Sequence, residues 1–289
     1  MTDLSDLIAA LPEEIPMAKL SASANDFIVL DNRNGTFTRA AGELARRLCS
    51  RRYSIGADGL ILIENSIKAS FKVRFFNPDG KEFNTCGNGG RCAARFAFHS
   101  VITGKKMKIE TNIGVIEAEV LAKTVKLQFV EPSKMKLNLT IPFRNKVISG
   151  HFVRLGDPHY VIYTNNLRDH PIVGLAREIR YHESFAPEGT NVHFIEPVSR
   201  QELKIRSYER GVEDETLACG SGCVSAALTT FCSSQTMPPV TLEPQSGIPL
   251  IVHFRTDNGF QDIFLEGDAR LIFEGNLTRE ALTGFPLNT

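Results

Sequence analysis

The sequence predicts an α+β protein made of two homologous α/β domains around an interdomain cleft. Three observations predict it. First, segments recur at one offset: "SANDFIVLD" at 23–31 answers "LGDPHYVIY" at 155–163, "GADGLILIE" at 56–64 answers "PEGTNVHFIE" at 187–196, and "VRFFNPDG" at 73–80 answers "IRSYERGV" at 205–212, with Asn25, Gly59 and Asn77 each 132 positions before Asp157, Asn191 and Glu209. Second, short runs rich in Val, Ile and Phe outnumber helical stretches, which reads as half-buried strands without regular βαβ alternation. Third, a Cys-Gly-x-Gly turn opens a helix-like run twice, at Cys86 and at Cys219, 133 positions apart. Matches in the same order at a nearly constant offset read as an internal duplication.

The elements follow in order. Residues 4–11, "LSDLIAAL", read as an amphipathic turn or two ended by Pro12, within a surface extension over 1–16. The first repeat domain spans 17–131, with strands at "FIVLD", "LILIE", "FKVRFF", "KMKIET", "VIEAEV" and "VKLQFV" and helices over 40–50 and after Cys86. The second spans 132–274, with helices over 172–180 and after Cys219, and the segment 275–289 is expected to pack back on the first domain. Two copies related by a pseudo-twofold axis bring equivalent loops to one cleft. Cys86 and Cys219 are therefore expected to face each other across an interdomain pocket.

Composition narrows the function. Lys+Arg and Asp+Glu are both 33, and no basic patch is concentrated anywhere, which argues against a nucleic-acid partner. No apolar run has the length of a bilayer span. The start, "MTDLSDLIAALPEEIP", is acidic and lacks the pattern of a signal peptide. A cytoplasmic protein with its six cysteines reduced is the expectation. No C-x-x-C pair suggests zinc or a redox disulfide, and no Gly-x-Gly-x-x-Gly or P-loop sequence claims the glycines, so neither metal nor cofactor is expected.

The glycines suggest their own chemistry. A helix N-terminus offers unpaired N–H groups and the positive end of the helix dipole, and glycine lets a ligand approach that backbone. Cys86-Gly87-Asn88 and Cys219-Gly220-Ser221 can each cradle a carboxylate, and the same field is expected to lower the pKa of the adjacent thiol. Two thiols flanking one carboxylate suit removal of an α-proton from one face of an amino acid and delivery of a proton to the other. Cys49, Cys92, Cys223 and Cys232 read as small hydrophobes. His159, after a proline at a repeat position, divides evenly between a core histidine and a pocket residue.

At these residues the sequence resembles the diaminopimelate epimerase family. "NPDGKEFNTCGNGGRC" carries the first signature complete; "ERGVEDETLACGSG" carries the second with Ser221 for Thr and one extra residue before Glu215. The resemblance runs from about Lys19 to Glu274. It implies two similar α/β domains, a homodimer with Phe273 at the dimer contact, and conversion of LL-2,6-diaminopimelate to the meso form on the way to lysine and peptidoglycan. It implies Cys86 and Cys219 as the acid/base pair, and substrate contacts at Asn25, Asn77, Gly87, Asn88, Asn191, Glu209, Arg210, Gly220 and Ser221. Arg210 suits a distal carboxylate, Glu209 an amino group, and Glu209 with His159 would tune the thiols. Two places depart from the family. "ASA" at 22–24 stands for His-Gly-x-Gly, and Asp157 stands for the usual Asn, where a carboxylate favours a substrate ammonium or repels a substrate carboxylate. A racemase of another amino acid, such as histidine or proline, and a non-catalytic amino-acid-binding protein are the alternatives. His is usual at Asn88 in proline racemases, and a binder needs neither thiol.

Overall fold

A computed structural model of the chain describes residues 11–84, 86–257 and 259–283. The chain divides into two compact units, one running through Leu127 and resuming at Asp268, the other Gln128–Gly267.

The first unit contains β1 (Glu14–Ala22), β2 (Asn25–Asp31), α1 (Ala41–Leu48), β3 (Gly59–Glu64), β4 (Phe71–Phe76), β5 (Glu82–Phe83), α2 (Gly87–His99), β6 (Lys106–Thr111), β7 (Gly114–Val120) and β8 (Thr124–Gln128). Alternation decides which side each strand residue covers. Leu20, Phe27, Val29, Ile61, Val73 and Phe75 pack with Cys92, Ala93 and Ala97 of α2, while Met17, Ile28, Leu30, Leu60 and Leu62 pack with Ala41, Leu44 and Leu48 of α1. The buried residues of α1 recur at helical spacing, with Glu43 in its first turn and Arg46 and Arg47 in its last to suit the dipole.

The second unit repeats this with β9 (Lys134–Phe143), β10 (Lys146–Leu155), β11 (Asp157–Tyr163), α3 (Ile172–Arg180), β12 (Asn191–Ser199), β13 (Glu202–Glu209), β14 (Asp214–Thr216), α4 (Gly220–Cys232), β15 (Val240–Glu243), β16 (Leu250–Arg255) and β17 (Gln261–Asp268). α4 packs on one core cluster and α3 on the other. The register carries the duplication residue by residue. Phe27 faces Gly59 in the parallel pair β2–β3, and His159 faces Asn191 in β11–β12. Leu60 faces Phe76 as Val192 faces Tyr208. Phe75 faces Phe83 as Ser207 faces Thr216, which puts the extra residue between β13 and β14.

Two expectations need correction. The second unit ends at Gly267, before the expected Glu274, because β18 (Arg270–Thr278) pairs with β1. β9 flanks β10 in the same antiparallel way, so the chain's end supplies the first unit with the strand that the second makes from its own beginning. Without β18, one side of β1 would be an unpaired edge. The extension over 1–16 is also not all surface: Leu11 and Ile15 are buried, and Glu14–Pro16 belong to β1. The expected turn over 4–10 lies outside the described residues. Among the described residues no helix is long and apolar enough to cross a membrane.

Candidate active site

In the first unit Cys86 is the N-cap of α2, in extended backbone, and Gly89 N–H donates to its Sγ at 3.3 Å. The thiol thus takes the place of the usual hydroxyl or carboxylate cap. Glycine is required at 89, where a Cβ would stand 2.8 Å from Phe75 Cε1. No acidic side chain occupies the first turn, so the N-terminal amides of Gly87 and Asn88 are not competed for by the helix itself. A directed chain of side chains orients the amides around this turn. Arg91 Nη2 donates to Asn88 Oδ1 at 2.9 Å, Asn88 Nδ2 to Asn25 Oδ1 at 3.4 Å, and Asn25 Nδ2 to Asp58 Oδ2 at 2.7 Å. Arg51 ties Asp58 to Asp26, and Lys19 also holds Asp26. Burial alone would raise the Asp26 carboxyl, but hydrogen bonds from Arg51 and Lys19 outweigh it and bring the pKa to about 2. Asn77 stands exposed in the turn after β4 and takes no part in this chain.

The "ASA" departure has a structural counterpart. Ser23 and Ala24 both have positive φ, 51° and 63°, the form of a tight hairpin turn that favours glycine. Ser23 is held there from two sides: its N–H donates to Asp268 Oδ1 at 2.7 Å, and its Oγ accepts from Arg91 Nη2 at 2.8 Å.

In the second unit Cys219 caps α4 and is buried, 4 % exposed, with its Sγ 3.5 Å from Ser221 Oγ. The Glu209 carboxylate, at the end of β13, accepts a hydrogen bond from Thr216 Oγ1, and its charge acts on the Cys219 thiol. The expected lowering of the thiol pKa does not occur at Cys219. Burial pushes it well above the ordinary value, the charge of Glu209 adds to the rise, and the opposing Ser221 hydroxyl and Gly222 N–H are too weak to reverse it. Burial likewise raises Glu209. Cys219 is therefore a protonated thiol at neutral pH.

Asp157 forms an ion pair with Arg210, so the guanidinium assigned to a substrate carboxylate already holds one. Asn191 orders the same corner, accepting from Arg210 N–H at 2.9 Å and donating to Pro158 O at 3.0 Å. His159 is fully buried, with Nδ1 2.9 Å from His193 Nε2, and His193 Nδ1 lies 2.8 Å from Ser207 Oγ. Phe273 lies on β18 and is 45 % exposed. Asp58, His193 and Ser207 escaped the sequence reading. The repeat contained the signal for two of them, since His193 and Ser207 align with Ile61 and Phe75. Among the described residues no group of three or more His, Cys, Asp or Glu is placed to hold a metal.

The sequence model of diaminopimelate epimerase matches residues 17–135 and 151–272. The chain belongs to the diaminopimelate epimerase family. It is 40 % identical over 276 residues to a diaminopimelate epimerase of Aquifex aeolicus, covering 91 % of this chain and 98 % of that one. It is 42 % identical over 263 residues to one of Chlorobaculum tepidum, covering 90 % and 100 %. Solved structures share the fold at low identity. A PhzF-family phenazine biosynthesis protein of Bacillus anthracis superposes with a TM-score of 0.69 at 13 % identity, covering 92 % of this chain and 99 % of that one. A hydroxyproline epimerase of Agrobacterium vitis, with bound trans-4-hydroxy-L-proline, superposes with a TM-score of 0.64 at 14 % identity, covering 92 % and 93 %. The two-unit diaminopimelate epimerase fold is thus common to chains of different chemistry, and the side chains at the two turns must carry the assignment of function.

Proposed function

We propose that this protein is a cofactor-independent isomerase that converts LL-2,6-diaminopimelate to meso-diaminopimelate, supplying lysine and peptidoglycan synthesis in the cytoplasm. The observation that carries the reading is the twofold Cys-Gly-x-Gly helix start within a chain of this family. The α-proton of an amino acid is a very weak acid. Its removal needs a base on one face, an acid on the other, and donors aimed at the carboxylate where negative charge develops. Gly87–Asn88 and Gly220–Ser221 supply those donors, and Cys86 and Cys219 supply the acid and base. As Cys219 starts protonated, it delivers a proton in one direction of the reaction. In the reverse direction its proton must first leave, and Glu209, whose charge acts on this thiol, is the acceptor. His159 serves as the second proton-handling group.

Asn25, Asn77, Asn191 and Arg210 bind the rest of the substrate. Arg210 takes the distal carboxylate as its ion pair with Asp157 opens. Two copies pair through Ile272 and Phe273, which are 53 % and 45 % exposed on β18.

Incubation with single amino acids in D2O, scored for α-deuterium by NMR, tests the reading. Exchange into diaminopimelate and no other substrate is expected. Exchange into proline or histidine instead would make the chain a racemase of another amino acid, and exchange into none would make it a binding protein.

A further inference from the structure

The second unit buries a hydrogen-bonded row that the first unit lacks. His159, His193 and Ser207 are 0 %, 0 % and 3 % exposed and are joined by contacts of 2.9 and 2.8 Å. The matching positions of the first unit are Phe27, Ile61 and Phe75, all in its core. The register proves the match: Ile61 faces Phe75 as His193 faces Ser207, and Phe27 faces Gly59 as His159 faces Asn191. The fold accepts apolar side chains at all three places. Burying three polar groups there costs free energy that the first unit does not spend.

His159 Nε2 is buried with no hydrogen-bond partner among the described residues. That orphan fixes the tautomers. A proton on Nε2 would leave a buried N–H with no acceptor, which folded proteins almost never tolerate, whereas a bare Nε2 leaves only an unfilled lone pair. His159 therefore carries its proton on Nδ1 and donates it to His193 Nε2. His193 carries its own on Nδ1 and donates it to Ser207 Oγ. Burial keeps both rings neutral, pushing His193 down to about 3 and His159 well below its ordinary value, with His193 and Arg210 adding to the effect at His159. The His193 ring is also seated against the helix start that Cys219 caps: a Cβ on Gly222 would lie 2.3 Å from His193 Cε1.

We propose that His193 is a positioning residue of the epimerase: by accepting from His159 Nδ1 it holds His159 with Nε2 as a bare base. When a thiol gives its proton to Nε2, the S–H bond breaks with its electron pair left on sulfur, and an N–H bond forms. The Nδ1 proton stays in its hydrogen bond to His193 Nε2, which steadies the charge on the His159 ring, while His193 stays neutral with its Nδ1–H donating to Ser207. Return of the proton to sulfur reverses the step, so no co-reactant is consumed. The assignment of the reaction rests on the epimerase reading; the tautomers do not.

Two measurements test it. Imidazole 15N NMR on the labelled full chain near pH 7 should show bare Nε2 and protonated Nδ1 on both His159 and His193. A protonated Nε2 on His159 would overturn the proposal even if no variant folded. In the activity assay, His193→Ile installs the side chain that the first unit tolerates, and kcat should fall about 10–100-fold with KM little changed. His193→Gln offers an amide oxygen in place of Nε2 and should recover most of that loss. Wild-type kcat in His193→Ile, or a Gln variant no better than the Ile variant, would also overturn it. A wild-type protein inactive on diaminopimelate but with Nε2 bare would overturn the substrate reading alone.

Discussion

The two units build one turn with opposite surroundings. Cys86 is half-buried, and its sulfur accepts an N–H from the helix it caps. Cys219 is buried, and burial with the added charge of Glu209 keeps its proton on. Behind the first turn lie Phe27, Ile61 and Phe75; behind the second lie His159, His193 and Ser207. Since both sets sit on the same strands in the same register, the difference cannot come from folding requirements. The duplication supplies its own control: where the copies agree, the fold is speaking, and where one copy buries polar groups that the other replaces with hydrocarbon, the chemistry is.

Outside the two cysteines Glu209 gives the largest expected effect, because its counterpart in the first unit, Asn77, is exposed and neutral. Glu209→Gln removes the acceptor for the Cys219 proton and should lower kcat by about 10²–10⁴-fold. Stability should move the other way. Burial raises the folded-state pKa of Glu209 above its ordinary 4.5, so its contribution to stability is fully present below about that pH and lost as the pH rises through the folded value. The Gln variant should therefore be more stable than wild type at neutral pH and no more stable in acid. Denaturation at several pH values, set beside kcat, checks both halves. Unchanged turnover would remove Glu209 from the proton path.

Arg210 and Asp157 come next. Arg210→Lys replaces a planar fork by a point charge and should cost on the order of 1.5–3 kcal/mol in kcat/KM, the worth of a charge-assisted hydrogen bond. Asp157→Asn should act more gently. It opens a largely exposed ion pair worth about 0.2–1 kcal/mol, and should lower KM for diaminopimelate by up to about fivefold as Arg210 becomes free. A higher KM would mean that Asp157 holds the substrate's ammonium instead.

The smallest effect on activity concerns the hairpin before each site. The second unit has Gly156 at φ 74° where the first has Ala24 at φ 63°. Ala24→Gly should raise stability by about 1 kcal/mol, since the Cβ is the source of the strain there. A lower denaturation midpoint would show that the turn is held by contacts of the alanine methyl.

Much of this was legible in the sequence because the repeat is arithmetic. Strands β4 and β6 and helix α3 fall where their hydrophobic patterns place them, over 71–76, 106–111 and 172–180. The cysteines announce themselves by the glycines that follow each of them at the start of a helix. What escaped is what pattern cannot carry. β18 as far as Glu274 reads as part of the second repeat, since pairing with β1 is a contact between the two ends of the chain. The thiol of Cys219 reads as acidic, since a helix N-terminus is visible in sequence and the depth of burial is not. His193 reads as one polar residue in a strand, and only its distance to His159 gives it a role.

The central claim is that one thiol serves each face of the α-carbon. A diaminopimelate analogue with a leaving group on the β-carbon tests this directly, because it eliminates once a single proton has been removed. Cys86→Ala and Cys219→Ala should both lose epimerisation, yet each keeps one competent base. Each variant should process one epimer of the analogue and spare the other, with opposite preferences. If both variants attacked the same epimer, the two turns would not serve opposite faces, and the two-base account would be wrong.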